Sequence, residues 1–237
     1  MENACTSIII DVYISHKRLQ YLNEPHNRQV KNPLALFLDS ANIEIAKQAQ
    51  ELGFIDGITT NPKSISETGR SAMEILSDLV EIFDGHVFHY LTAASLDARI
   101  DEAWEAYEVR PDRVVIKIPM TVENIRIIAR LPGVDIAMTG VFSPAQAYIA
   151  AQAQAHYVIP YFHHASEVSG NGAKLVREVV NAVSGTDTHI LAGNITSIDE
   201  ALAAISAGAH NLTLSMPLIE AMATHELTLQ MIQGTNP

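Results

Sequence analysis

A chain of 237 residues, 48% of them hydrophobic and 18% charged, can bury a core large enough for one large α/β domain or two small ones. Its formal net charge of −12 argues against nucleic acid and anionic membranes as primary partners, and its one cysteine, Cys5, excludes an internal disulfide framework and any multi-cysteine metal site. No apolar run has the length of a membrane span, and cysteine use of this kind fits a reducing, cytoplasmic setting.

The chain opens with "TSIIIDVYI" at 6–14, whose apolar core is broken by Asp11 and has no basic stretch before it, so no signal peptide is expected. Residues 15–33 are polar and basic, carry Pro25 and Pro33, and read as an accessory extension of 1–33 ahead of a domain spanning 34–237. Within that domain, strand-like runs alternate with amphipathic ones. "LALFLD" (34–39) precedes "NIEIAKQAQELG" (42–53), and "GITT" (57–60) precedes a helix at 71–83. "HVFHYLT" (86–92) is followed by a helix at 96–108, "VVIKIP" (114–119) by one at 123–131, and "DIAMTGVF" (135–142) by one at 143–155. Ser143 and Pro144 suit the cap and first position of that last helix. "YVIPYF" (157–162), "HILAGN" (189–194) and "NLTLSM" (211–216) then lead into helices at 172–185, 197–209 and 217–233.

Strands without polar alternation, each followed by a helix, imply a parallel sheet covered by helices. Eight such units are the number that closes a (β/α)₈ TIM barrel. An open doubly wound sheet would want a glycine-rich turn after its first strand, and "SANIE" after "LFLD" has none. In a barrel the chemistry gathers where the strands end. The polar residues there are Asp39, Thr59, Asn61, Tyr90, Thr92, Lys117, Thr139, Tyr161, His163, His164, Asn194, Thr196 and Ser215.

Lys117 stands alone among the apolar residues of "VVIKIPMT" (114–121). A long stem could carry its charge to solvent. Pointing inward, it would lose its proton readily by desolvation and become an amine able to attack a carbonyl as a Schiff-base nucleophile. The adjacent His163 and His164, taken as strand neighbours, face opposite ways and do not make a metal pair. No metal and no cofactor are expected.

Five segments in order, "LFLDSANIE" (36–44), "GITTNP" (57–62), "VVIKIPMT", "MTGVFSPAQAYIAA" (138–151) and "YVIPYF", resemble the transaldolases, and most of all their short branch, which includes fructose-6-phosphate aldolase. The resemblance covers roughly 34–233 and implies a (β/α)₈ barrel with a Schiff-base lysine on strand 4 at Lys117. It implies that Lys117 attacks the C2 carbonyl of a ketose, that the C3–C4 bond breaks, and that a dihydroxyacetone enamine remains for an aldehyde acceptor or a proton. It gives Asp39 proton transfer and a donor hydroxyl, Thr59 and Asn61 the donor's hydroxyls, Thr139 a water, and Tyr161 the acid–base role of the aldolase branch. Tyr90 falls where the family has glutamine or glutamate. His164, Asn194 and Thr196 fall where it holds a sugar phosphate with an arginine, a serine and a basic residue. With His163, these residues would suit a less charged tail. A sulfonate as in sulfofructose, an uncharged ketose and a phosphate with Lys63 supplying charge all remain open. The resemblance also implies a homo-oligomer, although the chain stops soon after the last helix. A barrel that has lost catalysis and serves as a sugar-binding or regulatory protein is the alternative from another class.

Overall fold

The computed structural model describes residues 34–234, so the 6–14 run and the extension up to residue 33 lie outside the described residues. Eight parallel strands close into a barrel in sequence order. They are β1 (Ala35–Asp39), β2 (Gly57–Thr59), β3 (His86–Tyr90), β4 (Val114–Pro119), β5 (Ile136–Val141), β6 (Tyr157–Pro160), β7 (His189–Ala192) and β8 (Asn211–Leu214).

Eleven helices wrap them among the described residues: α1 (Ile43–Leu52), α2 (Pro62–Thr68), α3 (Ala72–Ile82), α4 (Leu96–Val109), α5 (Val122–Ile128), α6 (Pro144–Gln152), α7 (Phe162–Ser169), α8 (Gly172–Ala182), α9 (Ile198–Ser206), α10 (Met216–Ala223) and α11 (Glu226–Gln233). None is long and apolar enough to cross a membrane.

The period of two along each strand sorts its side chains into two cores. Leu38, Ile58, Ile116, Ile136, Val158 and Leu212 face outward and pack under the helices. Phe37, Phe88, Val115, Ala137, Tyr157, Ile159 and Leu191 fill the barrel itself. Phe37 and Phe88 meet edge to face with centroids 5.3 Å apart, and Phe88 meets Tyr157 at 5.1 Å. Gly57 faces this plug, where an added Cβ would lie 2.6 Å from the Phe37 ring. The barrel is therefore a packed floor, not a pore, and what stands above the floor must be held at its mouth.

Two helices were not expected from the sequence. Pro62 starts α2 directly after Asn61, and α7 begins at Phe162, where a strand was expected to continue. Tyr161 makes one last bridge to Gly193 before the chain turns into helix. His163 and His164 therefore lie in the first turn of α7 and not on a strand, which corrects the geometry on which the argument against a shared ion rested. The expected helix at 217–233 is two, broken where Thr224 and His225 are both extended and the His225 ring caps α11.

Candidate active site

The register of the ladders decides which strand-end residues share the mouth. Asp39 is paired with Thr59, Tyr90 with Lys117, and Pro119 with Thr139. Lys117 lies two residues beyond Val115 of the inner core, so it points into the barrel above the aromatic floor. It is 3% exposed. Its Nζ donates to the Thr60 carbonyl at 2.9 Å. Burial pushes the Lys117 pKa down, against the pull of the Asp39 carboxylate.

Asp39 is held by its neighbours. Asn61 Nδ2 donates to its Oδ1 at 2.9 Å, and the Thr59 hydroxyl donates to the same oxygen at 3.4 Å. Asn61 can do this because it is the cap of α2: its Oδ1 accepts from Ser64 N–H at 2.9 Å, which fixes the side chain and turns its amide nitrogen inward. Thr59 shares a 2.7 Å hydrogen bond with Thr213 of β8.

Across the mouth, Thr139 lies 3.3 Å from the Tyr161 hydroxyl, and a β-bulge after Thr139 at Gly140 (φ 67°) re-aims the end of β5. Burial raises the Tyr161 pKa, with the Asp39 charge adding to it and the Thr139 contact opposing it. Burial likewise raises that of Tyr90, and Tyr161 adds to the effect. Both phenols are therefore proton donors at neutral pH.

The third side is built by α7 and the turn after β7. Asn194 is left-handed (φ 53°), which lets its carbonyl accept from His163 N–H at 2.9 Å and its Oδ1 from His164 N–H at 2.8 Å. His163 Nδ1 lies 2.7 Å from Glu200 Oε1 and 3.1 Å from the Thr196 hydroxyl. The Glu200 contact raises the His163 pKa. The His164 ring packs on Phe142 at 5.4 Å, and Phe142 packs edge-on against Tyr161 at 5.7 Å. Lys63 is apart from all of these, with its side chain 87% exposed and 3.9 Å from Glu67.

The structure thus gathers Lys117, Asp39, Thr59, Asn61, Thr139, Tyr161 and Tyr90 over the barrel floor, and His163, His164, Asn194 and Thr196 on one rim. Sequence reasoning missed Thr213, the Thr60 carbonyl, Phe142 and Glu200. Thr213 had a signal, the inward position two residues before Ser215. Glu200 had one too, the Ser-x-x-Glu spacing from Ser197 that marks a capping box.

Such a barrel, with a buried lysine and a carboxylate–amide pair at the strand ends, defines a (β/α)₈ protein built for chemistry at its C-terminal mouth. Comparison with known proteins narrows this. The Transaldolase/Fructose-6-phosphate aldolase family profile matches residues 36–236. A probable transaldolase of Aquifex aeolicus is 38% identical over 201 residues, covering 82% of this chain and 91% of that protein. One of Symbiobacterium thermophilum is 34% identical over 199 residues, covering 82% and 92%. The chain belongs to the transaldolase and fructose-6-phosphate aldolase family and so stands among enzymes of the transaldolase and aldolase type. Solved structures of mandelate oxidase share the fold alone, one with a TM-score of 0.60 at 17% identity over 85% of this chain and 70% of that one.

Proposed function

We propose that the protein is a Schiff-base enzyme that cleaves a ketose between C3 and C4 and releases or transfers a dihydroxyacetone unit. The observation that carries this reading is Lys117: an inward lysine, 3% exposed, with its pKa lowered by burial. In its neutral form the amine attacks the C2 carbonyl, and loss of water leaves an iminium that withdraws electrons from C3. Removal of the C4 hydroxyl proton then breaks C3–C4, an aldehyde leaves, and the bonding pair becomes an enamine on Lys117. The enamine carbon takes either a second aldehyde, as in a transaldolase, or a proton, as in an aldolase, and water frees the lysine.

In this reading Asp39 holds a donor hydroxyl and moves protons in the early steps, which its hydrogen bonds from Asn61 and Thr59 support. In the same reading Tyr161 and Thr139, in contact with each other, hold a water and serve as acid and base, Tyr161 favouring the aldolase outcome, with Tyr90 as a further phenol of the relay. The far end of the ketose falls to His163, His164, Asn194 and Thr196. The tails that the resemblance allows are a phosphate, a sulfofructose-like sulfonate and an uncharged hydroxyl.

The test is reduction with borohydride in the presence of dihydroxyacetone, read by intact mass and peptide mapping. A reduced dihydroxyacetone adduct on Lys117, absent from Lys117→Met, is expected. A protein of unchanged mass, or an adduct spread over surface lysines, sinks the proposal.

A further inference from the structure

The rim formed by α7 and the start of α9 has the parts of an anion cradle: two helix N-termini, a threonine and two histidines, at a place where barrels often hold a phosphate. The start of α7, Thr196 and His163 each face an acceptor supplied by the protein. The N–H groups of Phe162 and His163 donate to the carbonyls of Gly193 and Asn194, and His164 N–H donates to Asn194 Oδ1. Thr196 donates both its N–H (2.8 Å) and its hydroxyl (3.0 Å) to Glu200 Oε2, and His163 occupies Glu200 Oε1.

Glu200 is thereby diverted from its local role. Glu74 stands at the same spacing from Ser71 and closes a capping box on the Ser71 N–H at 2.9 Å. Ser197 caps α9 in the same way through Glu200 N–H, but the Glu200 carboxylate turns to the rim. A second acid is there as well: Glu167 lies 3.6 Å from His163 Nε2 and 3.9 Å from His164 Nδ1. Residues 161–171 and 193–199 contain no lysine or arginine.

Resting on the Schiff-base reading above, we infer that Glu200 is a specificity-determining residue, a built-in carboxylate that fills the anion cradle, and that the enzyme takes a ketose whose far end carries an uncharged hydroxyl. A phosphate or sulfonate tail entering here meets two carboxylates and donors already engaged. A hydroxyl can instead donate to Glu167 or Glu200, with the ring of Phe142 beside it as an apolar wall. The cradle is closed to charge and open to polyol.

The experiment compares kcat/KM for cleavage of fructose, fructose 6-phosphate and 6-deoxy-6-sulfofructose by wild type, Glu200→Gln, Glu167→Gln and, as a control at the exposed C-terminal end of α1, Glu51→Gln. Wild type is expected to favour fructose over either anionic ketose by tenfold or more. Glu200→Gln is expected to raise the anionic-to-neutral ratio at least tenfold, Glu167→Gln in the same direction by less, and Glu51→Gln not at all.

A wild-type preference for either anionic ketose overturns the inference, as does an unchanged ratio in both rim variants. The dihydroxyacetone trap separates the two proposals. If dihydroxyacetone labels Lys117 while none of the three ketoses is cleaved, the lysine chemistry stands and the assignment of the tail falls. If dihydroxyacetone labels nothing, the reading beneath both falls.

Discussion

Tyr90 and Lys117 face each other across the β3–β4 ladder, and both point into the barrel, so the buried amine has a phenol and no paired carboxylate as its immediate ladder partner. Asp39 reaches it only from β1, and burial wins: the Lys117 pKa is lowered. That has a consequence for stability. An unfolded lysine holds its proton up to about pH 10.4, whereas the folded one releases it earlier. Between the two pKa values the unfolded chain binds more protons, so stability rises with pH across that window. Below the folded pKa both forms are charged, and the full cost of burying an ammonium remains.

Lys117→Met, which keeps the shape and removes the charge, is therefore expected to raise the melting temperature, by roughly 2–4 °C per kcal/mol of burial cost removed. The loss of the bond to the Thr60 carbonyl offsets about 1 kcal/mol of this. The gain should be largest in acid and shrink as the pH rises toward 10. Calorimetry of the two proteins across that range checks it, and a variant that melts lower than wild type at every pH would contradict it.

Tyr161 and Tyr90 should separate by step. Tyr161 touches Thr139, and both phenols are held protonated by burial, so each is a proton donor whose loss affects proton transfer more than imine formation. Tyr161→Phe is expected to lower kcat by about 10²-fold or more while dihydroxyacetone still labels Lys117 under borohydride. Tyr90→Phe should show the same split with a smaller loss, because the Thr139 hydroxyl contact belongs to Tyr161. Loss of labelling in step with turnover would mean that the phenols act on imine formation instead.

Much of this site could be read from the chain because it is built on strands. Once the eight apolar runs were placed, the period of two put Lys117 above Val115 and Asp39 above Phe37, and the ladders could only bring those ends together. The rim could not be read in that way. Whether α7 starts at Phe162 depends on the Tyr161–Gly193 bridge and on Asn194 taking a left-handed turn, contacts between segments some 30 residues apart. Glu200 carries a local signal that points to the wrong partner: its spacing from Ser197 predicts a capping box, and only the approach of His163 from the neighbouring unit diverts the carboxylate. Local pattern placed Lys117 and Asp39 at the mouth, and long-range contacts set the start of α7 and the direction of the Glu200 carboxylate.

Asn61 performs two tasks that a pair of substitutions can divide. Its Oδ1 caps α2, and its Nδ2 holds Asp39. Serine caps a helix about as well as asparagine but has no amide to offer, so Asn61→Ser is expected to cost little stability and most of the activity. Asn61→Ala loses both functions and should also lose about 1 kcal/mol in chemical denaturation. Equal stability losses in the two variants would show that the bond to Asp39, not the cap, supports this corner of the fold.

The turn after β3 is held by Glu102 from α4. Its carboxylate accepts from the N–H groups of Thr92 and Ala93, from the Thr92 hydroxyl, and lies 3.3 Å from His89 Nε2. Burial works against its charge, but the bonds from His89, Thr92 and Ala93 outweigh it and hold the pKa at about 2 against an ordinary 4.5. A group depressed in the folded state contributes stability that is complete above pH 4.5 and is lost as the pH falls toward 2. With the side chain 12% exposed, the contribution at neutral pH is on the order of 2 kcal/mol after solvent screening. Glu102→Gln should therefore lower the unfolding free energy at pH 7 by about that amount, and its denaturation midpoint should change less than that of wild type between pH 4.5 and 2. Urea titrations at three pH values across the window decide it. If the variant and wild type lose stability in parallel as the pH falls, the acid limb of this barrel belongs to other carboxylates.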